Sequence, residues 1–177
     1  MTKSKAWMVA SLVLTCVIAA FALAQVYAVT RPTIERQAQD ALQASLSEVL
    51  PGAATFSELE PGAVWSGDDA SGARVGIVFK TSPRGYGGPV TVVVGMDTTG
   101  VITGVGIGAD IKETPGLGLK ARENWFRDQF RGKTQDQVRL RRDNGTLDAI
   151  SAATITSRAI TDGVRQDMER YLHYLKP

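Results

Sequence analysis

From Ala6 to Val29 the chain carries no charged residue and is mostly Ala, Val, Leu and Ile. A run of that kind limits the chain to few structures, because backbone N–H and C=O groups in hydrocarbon must bond within their own helix. As a helix it extends about 36 Å, enough for a hydrocarbon core of about 30 Å. Lys3 and Lys5 flank its start, and no acidic residue precedes Arg31. The positive-inside rule then expects a cytoplasmic N-terminus and an extracytoplasmic (periplasmic) remainder. Tyr27 and Arg31 suit the outer interface. A cleaved signal peptide is the competing reading, since Ala22-Leu-Ala24 has the small-x-small form of a cleavage site. The length of the run favours a retained anchor. Ser11, Thr15 and Gln25 would let the anchor pack against neighbouring helices.

Beyond the anchor the chain is short and chemically restricted. The 177 residues allow one membrane segment and one further domain. Cys16 is the only cysteine and lies inside the apolar run, and His173 is the only histidine. A disulfide within the chain, a Cys-based zinc site and a protein-held iron–sulfur cluster are excluded. Ser-His or Cys-His hydrolysis and a multi-His metal site are disfavoured. The chain has 20 basic and 18 acidic residues, so basic and acidic residues balance once Lys3 and Lys5 are set aside. That neutrality argues against nucleic acid as a partner. Redox chemistry here would need a bound organic cofactor.

Pattern and punctuation divide the remainder. Pro32 and Thr33 open a second helix, with Ile34, Ala38, Leu42, Leu46 and Val49 at helical spacing, ending before Pro51-Gly52. This helix could serve as a stalk, dock a membrane partner or pack on its own domain. Residues 53–72 read as loop with a short strand at 63–65. Residues 74–80 read as a strand, 81–89 as a Gly/Pro loop and 90–96 as a buried strand. Asp97-Thr-Thr-Gly100 is a turn, and 101–107 pairs back as a hairpin. Residues 119–130 read as a helix with Trp125, Phe126 and Phe130 on its apolar side, and 138–140 as one more strand. A last helix over about 158–175 aligns Ile160, Val164, Met168, Tyr171, Leu172 and Leu175. The expected fold is α+β: an N-terminal single transmembrane helix (1–30), a juxtamembrane amphipathic helix (31–52) and an antiparallel-sheet domain with flanking helices (53–177).

Three stretches carry the chemistry. Asp148-Ala-Ile-Ser-Ala-Ala-Thr-Ile-Thr-Ser157 places hydroxyls and small residues before the last helix. A helix start offers free amides and a positive dipole end to an anion. Ala152 and Ala153 keep the backbone approachable, and Thr154 can touch a phosphate or be esterified by it. Ordinary capping by Ser151, Thr154 or Thr156 explains the same residues. In Lys112-Glu-Thr-Pro-Gly-Leu-Gly118, Pro115-Gly116 marks a tight turn and Gly118 frees the backbone again. Thr114 can bond a polar ring edge, Leu117 can cover a ring face, Glu113 can orient the loop, and Lys120 can pair with phosphate or stay solvated. Gly85-Tyr-Gly-Gly-Pro-Val90 could admit a planar ligand or be a plain loop.

Together and in this order, the three stretches resemble the signatures of the FMN-binding domain family, whose threonine in a Ser/Thr-Gly-Ala-Thr-x-Ser/Thr pattern carries FMN as a phosphoester. Behind an anchor in so short a chain, they look most like the G subunits of Rnf-type electron-transport complexes. The C subunits of sodium-pumping NADH:quinone reductases are the close relatives and the alternative. The resemblance implies covalent FMN on Thr154, with Ser151, Ala152, Ala153, Ile155, Thr156, Glu113, Thr114, Gly116, Leu117, Gly118 and Lys120 around it. It implies a separate flavin transferase that reads Asp148, and electron relay among other membrane subunits linking ferredoxin and NAD to ion pumping. An anchored non-redox ligand-binding module and an assembly subunit are the readings of other classes. Position 152 is Ala where the family pattern has Gly, and a methyl group fits there unless the backbone needs a positive φ.

Overall fold

The apolar run does form a helix, and that helix is longer than its composition suggests. A computed structural model of the chain describes residues 5–109 and 111–175, so Lys3 lies outside the described residues. Backbone contacts divide the chain into two units, Met1–Leu42 and Gln43–Pro177. Helix α1 covers Lys5–Val49 and contains Pro32. Proline was expected to open a new helix there. It fixes φ near the helical value, so a helix can pass through it at the loss of one hydrogen bond. The hydroxyls of Ser11, Thr15 and Thr30 donate to the carbonyls of Met8, Ser11 and Val26 at 2.8–2.9 Å, which satisfies them inside the helix. By length and composition α1 is able to cross a membrane.

The second unit is built on a five-stranded antiparallel meander, with β1 (Thr55–Glu60), β2 (Val64–Asp68), β3 (Arg74–Thr81), β4 (Val92–Asp97) and β5 (Ile102–Ile107) in chain order across the sheet. The β4–β5 hairpin is the expected one. Its turn is held by the Asp97 carboxylate, which accepts from the Thr99 amide and hydroxyl and from the Val101 amide. The first two strands replace an expected loop with one short strand. β1 lies at an edge and exposes half its residues, so Thr55-Phe-Ser-Glu-Leu-Glu60 lacks the alternation that reveals a strand.

Both faces of the sheet are covered. Val64, Ile77, Phe79, Val92, Val94 and Met96 point to the larger core, while Trp65, Val78 and Val93 point to the other side and meet Leu46, Val49 and Leu50. The last turn of the expected amphipathic helix therefore packs on its own domain. Gly95 and Gly104 permit this, because a Cβ at either would press on the Val49 backbone. The Thr103 hydroxyl closes the contact by donating to the Val49 carbonyl.

Over the larger core lie irregular turns and a final helix. Residues 119–130 do not form the single helix expected from their pattern. They break into a 3-10 helix Gly118–Arg122, α2 (Asn124–Arg127) and a 3-10 turn Asp128–Phe130. Phe126 and Phe130 are fully buried and meet edge-to-face at 5.6 Å, so side-chain anchoring decides the path here. The expected strand at 138–140 is only a bridge from Leu140 to Leu147, since Val138 and Leu140 are buried but the arginines beside them stay exposed. The last helix, α3 (Thr154–Tyr171), begins at Thr154 and not near 158. Ile160, Val164, Met168 and Tyr171 bury its apolar side, and Leu172 and Leu175 fall in a 3-10 turn beyond it.

Candidate functional site

The start of α3 is built from inside the helix. Ser157, fully buried, accepts the Ile150 N–H on its hydroxyl at 2.9 Å and donates to the Ala153 carbonyl at 3.0 Å. The Ala153 N–H returns to the Ile150 carbonyl at 3.0 Å. These bonds tighten residues 150–153 into a turn that forces Ala152 to φ 61°. This is the left-handed region, where a Cβ is strained and glycine is not. The condition under which Ala at position 152 becomes a liability is therefore met. The helix beginning there has no side-chain cap: Ala153 stands at the N-cap position, and neither Ser151, Thr154 nor Thr156 caps it. The amides of Thr154, Ile155 and Thr156 have no acceptor within the helix, because they lie in its first turn.

The second wall is the turn after the hairpin. Thr114 to Leu117 closes with a Leu117 N–H to Thr114 carbonyl bond of 3.1 Å and Gly116 at φ 75°. Pro at the second position and a positive φ at the third make this a type II turn. Glu113 is 7% exposed, and its carboxylate accepts the Gly87 N–H at 3.1 Å. The third wall is the Gly85–Gly88 loop between β3 and β4, narrowed by a bond from the Gly85 N–H to the Gly88 carbonyl at 2.8 Å.

The three stretches meet. Tyr86, Glu113, Thr114, Leu117, Gly118, Ala152, Ala153, Thr154, Ile155 and Thr156 line one open cleft of about 510 Å³, a volume in the range of cofactor sites. Tyr86 and Ile155 show 73% and 60% of their surface to solvent, so these apolar walls stand open. Thr156 is fully buried, yet its hydroxyl oxygen has no hydrogen-bond partner among the described residues. A buried orphan hydroxyl costs free energy unless a ligand completes it. An anion with a flat, dipolar ring fits this donor set: open amides and hydroxyls at one end, Leu117, Ile155 and Tyr86 as apolar surface, and the Glu113 and Thr114 oxygens at another wall.

Several expected site residues stand elsewhere. Ser151, Gly116 and Lys120 are exposed and do not line the cleft. Asp148 pairs with Arg141 at 2.7 Å, both side chains more than half exposed, and its backbone is clasped by Gln129, whose Oε1 accepts the Asp148 N–H at 2.6 Å. Phe126 and Phe130 are core, and Trp125 donates its indole N–H to Glu123 at 2.6 Å. Tyr86 was missed as a wall residue. An aromatic flanked by glycines was the available signal, and the composition of that loop alone did not separate it from a plain connection.

Comparison with known proteins agrees with this geometry. The FMN-binding domain family model matches residues 85–169, a span that includes all three walls. The chain is 30% identical to the G subunit of the proton-translocating ferredoxin:NAD(+) oxidoreductase complex of Clostridium ljungdahlii, over 90% of this chain and 88% of that one. It is 35% identical to the G subunit of the Na(+)-translocating ferredoxin:NAD(+) oxidoreductase complex of Acetobacterium woodii, over 90% and 87%. The chain belongs to the family of these G subunits, with their FMN-binding domain. Members of the same family include the G subunit of the ion-translocating oxidoreductase complex of Aliivibrio fischeri, 31% identical over 84% of this chain and 82% of that protein.

Solved structures share the fold. The C subunit of the Na(+)-translocating NADH-quinone reductase from Parabacteroides distasonis superimposes with a TM-score of 0.53 at 21% identity, over 64% of this chain and 62% of that one. NqrC of Shewanella oneidensis gives 0.54 at 19% identity, over 71% and 72%. At these identities the likeness speaks for the α+β meander and its flanking helices.

Proposed function

We propose that this chain is the flavin-bearing electron relay of a membrane-bound, ion-translocating ferredoxin:NAD oxidoreductase complex of the Rnf type, and that it holds FMN covalently as a phosphoester on Thr154. The observation that carries the attachment site is the start of α3: Thr154, the open first-turn amides and the orphan Thr156 hydroxyl share one cleft. The relatives' names supply the complex. Bound FMN would supply one- and two-electron exchange. The chain's own residues do the rest. The amides of Thr154, Ile155 and Thr156 and the positive end of α3 favour a phosphate. Tyr86, Leu117 and Ile155 give apolar surface to a ring, and Glu113 and Thr114 offer polar contacts.

A threonine hydroxyl is a weak nucleophile without a base beside it. Loading therefore calls for a separate flavin transferase. The Thr154 Oγ–phosphorus bond forms as the pyrophosphate bond of FAD breaks, AMP leaves, and the hydroxyl proton passes to the transferase. Asp148, exposed before the turn, is the residue for that enzyme to read. The anchor (1–30) would hold the chain in the cell membrane with its N-terminus cytoplasmic. The linking helix (31–52) and the flavin domain (53–177) would lie outside, where a covalent bond prevents loss of the cofactor. Ferredoxin and NAD would be served by other membrane subunits, since a chain with one cysteine ligates no cluster of its own.

The test is in-gel flavin fluorescence under denaturing conditions with intact mass, for the full chain and Thr154→Val, each made with an exported flavin transferase. A fluorescent parent band heavier by one FMN less water, with a dark variant, is expected. A dark parent band of unmodified mass would overturn the covalent assignment.

A further inference from the structure

We propose that Glu113 is a positioning residue, whose buried carboxylate locks the Tyr86 loop to the 112–118 turn and so sets the shape of the cleft. It deepens the flavin reading above, although the locking itself rests on the chain's own geometry.

Three glycines surround this one side chain. A Cβ on Gly85 would overlap Glu113 Oε1, and a Cβ on Gly118 would overlap Oε2. Gly87 lies so close to the Lys112 carbonyl that no side chain fits there either, and its N–H donates to Glu113 Oε1 at 3.1 Å. Gly85 and Gly118, from two separate stretches, thus both make room for a single carboxylate seated between them. A buried carboxylate is expensive unless it is hydrogen-bonded, and one hydrogen bond to Gly87 uses only part of its acceptor capacity. The bond reaches across from the turn to the loop that carries Tyr86, which is 73% exposed. Glu113 itself lines the same cleft, so its remaining acceptor capacity is available to a donor on a ligand there.

The proposal predicts a chain of effects that a merely space-filling residue would not produce. In the flavin-free full-length protein in detergent, Glu113→Ala should speed amide hydrogen exchange at Tyr86 and Gly87 by about tenfold or more, with exchange in β3 and β4 unchanged. Added FMN should bind the same variant at least about fivefold more weakly. Glu113→Gln keeps a carbonyl oxygen for the Gly87 N–H, and should recover most of the exchange protection. Gly118→Ala, with Glu113 intact, should displace the carboxylate and loosen the Tyr86 loop as Glu113→Ala does. This second route keeps the test decisive if Glu113→Ala does not fold. Unchanged exchange at Tyr86 and Gly87 in the Glu113→Ala and Gly118→Ala variants overturns the proposal. So does a loosened loop with FMN affinity equal to the parent's. If the parent itself takes up no added FMN, the flavin reading is decided by the transferase experiment above, and the exchange comparison alone decides whether Glu113 locks the loop.

Discussion

Two helical starts in this domain are finished in opposite ways. The three-residue 3-10 turn Gln135–Gln137 is tied off by a side chain: Gln137 Oε1 accepts the Thr134 N–H at 3.1 Å. The 18-residue helix α3 has hydroxyls on both sides of its start and uses none of them as a cap. The contrast extends to neighbouring residues. Ser157 makes two hydrogen bonds through its hydroxyl, whereas the Thr156 hydroxyl, equally buried, makes none among the described residues. A chain able to satisfy a trivial turn but leaving its main helix start open has kept donors in reserve. Strain and unsatisfied groups of this sort concentrate at functional sites and are offset by stability elsewhere.

Closing the open start is the most damaging way to break that contrast. Ala153→Asp would place a carboxylate at the N-cap, where it accepts the first-turn amides and repels a phosphate. Flavin content should fall by about tenfold or more, because the loading enzyme then meets a site whose amides are occupied and whose charge repels the phosphate it delivers. Absorbance per mole of purified protein measures it, and full flavin loading would show that these amides are not used. The two neighbouring hydroxyls should respond with opposite signs. Ser157→Ala strands the buried Ile150 N–H and should cost about 2 kcal/mol in denaturant unfolding of the flavin-free chain. Thr156→Val deletes an unpaired buried hydroxyl and should add about 1 kcal/mol to the same measurement while weakening FMN uptake. Destabilisation by Thr156→Val would mean that its hydroxyl is already satisfied in the flavin-free protein.

Ala152→Gly is a finer probe of the same turn. It removes the left-handed strain of a Cβ, partly offset by the greater freedom of glycine in the unfolded chain. A net gain of about 0.5 kcal/mol is expected, read as a higher unfolding midpoint. No gain, or a loss, would show that the turn carries no strain. The smallest effect belongs to the β4–β5 turn, which is finished like the satisfied start. Burial pushes the Asp97 carboxyl up, but hydrogen bonds from the Thr99 hydroxyl and from the Val101, Thr99 and Gly100 amides outweigh it and hold it below its ordinary value. Its stabilisation is present above the unfolded-state value, near pH 4, and is lost as pH falls through the lower folded value. Asp97→Asn should flatten that part of the acid unfolding curve. An unchanged acid limb would remove Asp97 from the account.

Local pattern made some of these features legible in advance. The hairpin at Asp97–Gly100 follows from a turn tetrapeptide between β-branched runs. The Thr154 stretch announced itself by small and hydroxyl residues before an amphipathic helix. The edge strand β1 did not, because a strand with half its side chains in water has no apolar alternation to display. The path of 118–130 did not, because the burial of Phe126 and Phe130 overrides the helical spacing around them.

By itself the sequence determined the uncharged helix-forming run, the absence of any cysteine cluster, the order of the three glycine- and threonine-bearing stretches and the amphipathic face of α3. These are properties of residue type and spacing along one segment. Only the tertiary structure decided that Ala152 sits at positive φ, that α3 starts uncapped, that Thr156 is buried without a partner, and that Glu113 fills the space left by Gly85 and Gly118. Each of those depends on what another segment places beside the residue, a relation that no spacing along the chain contains.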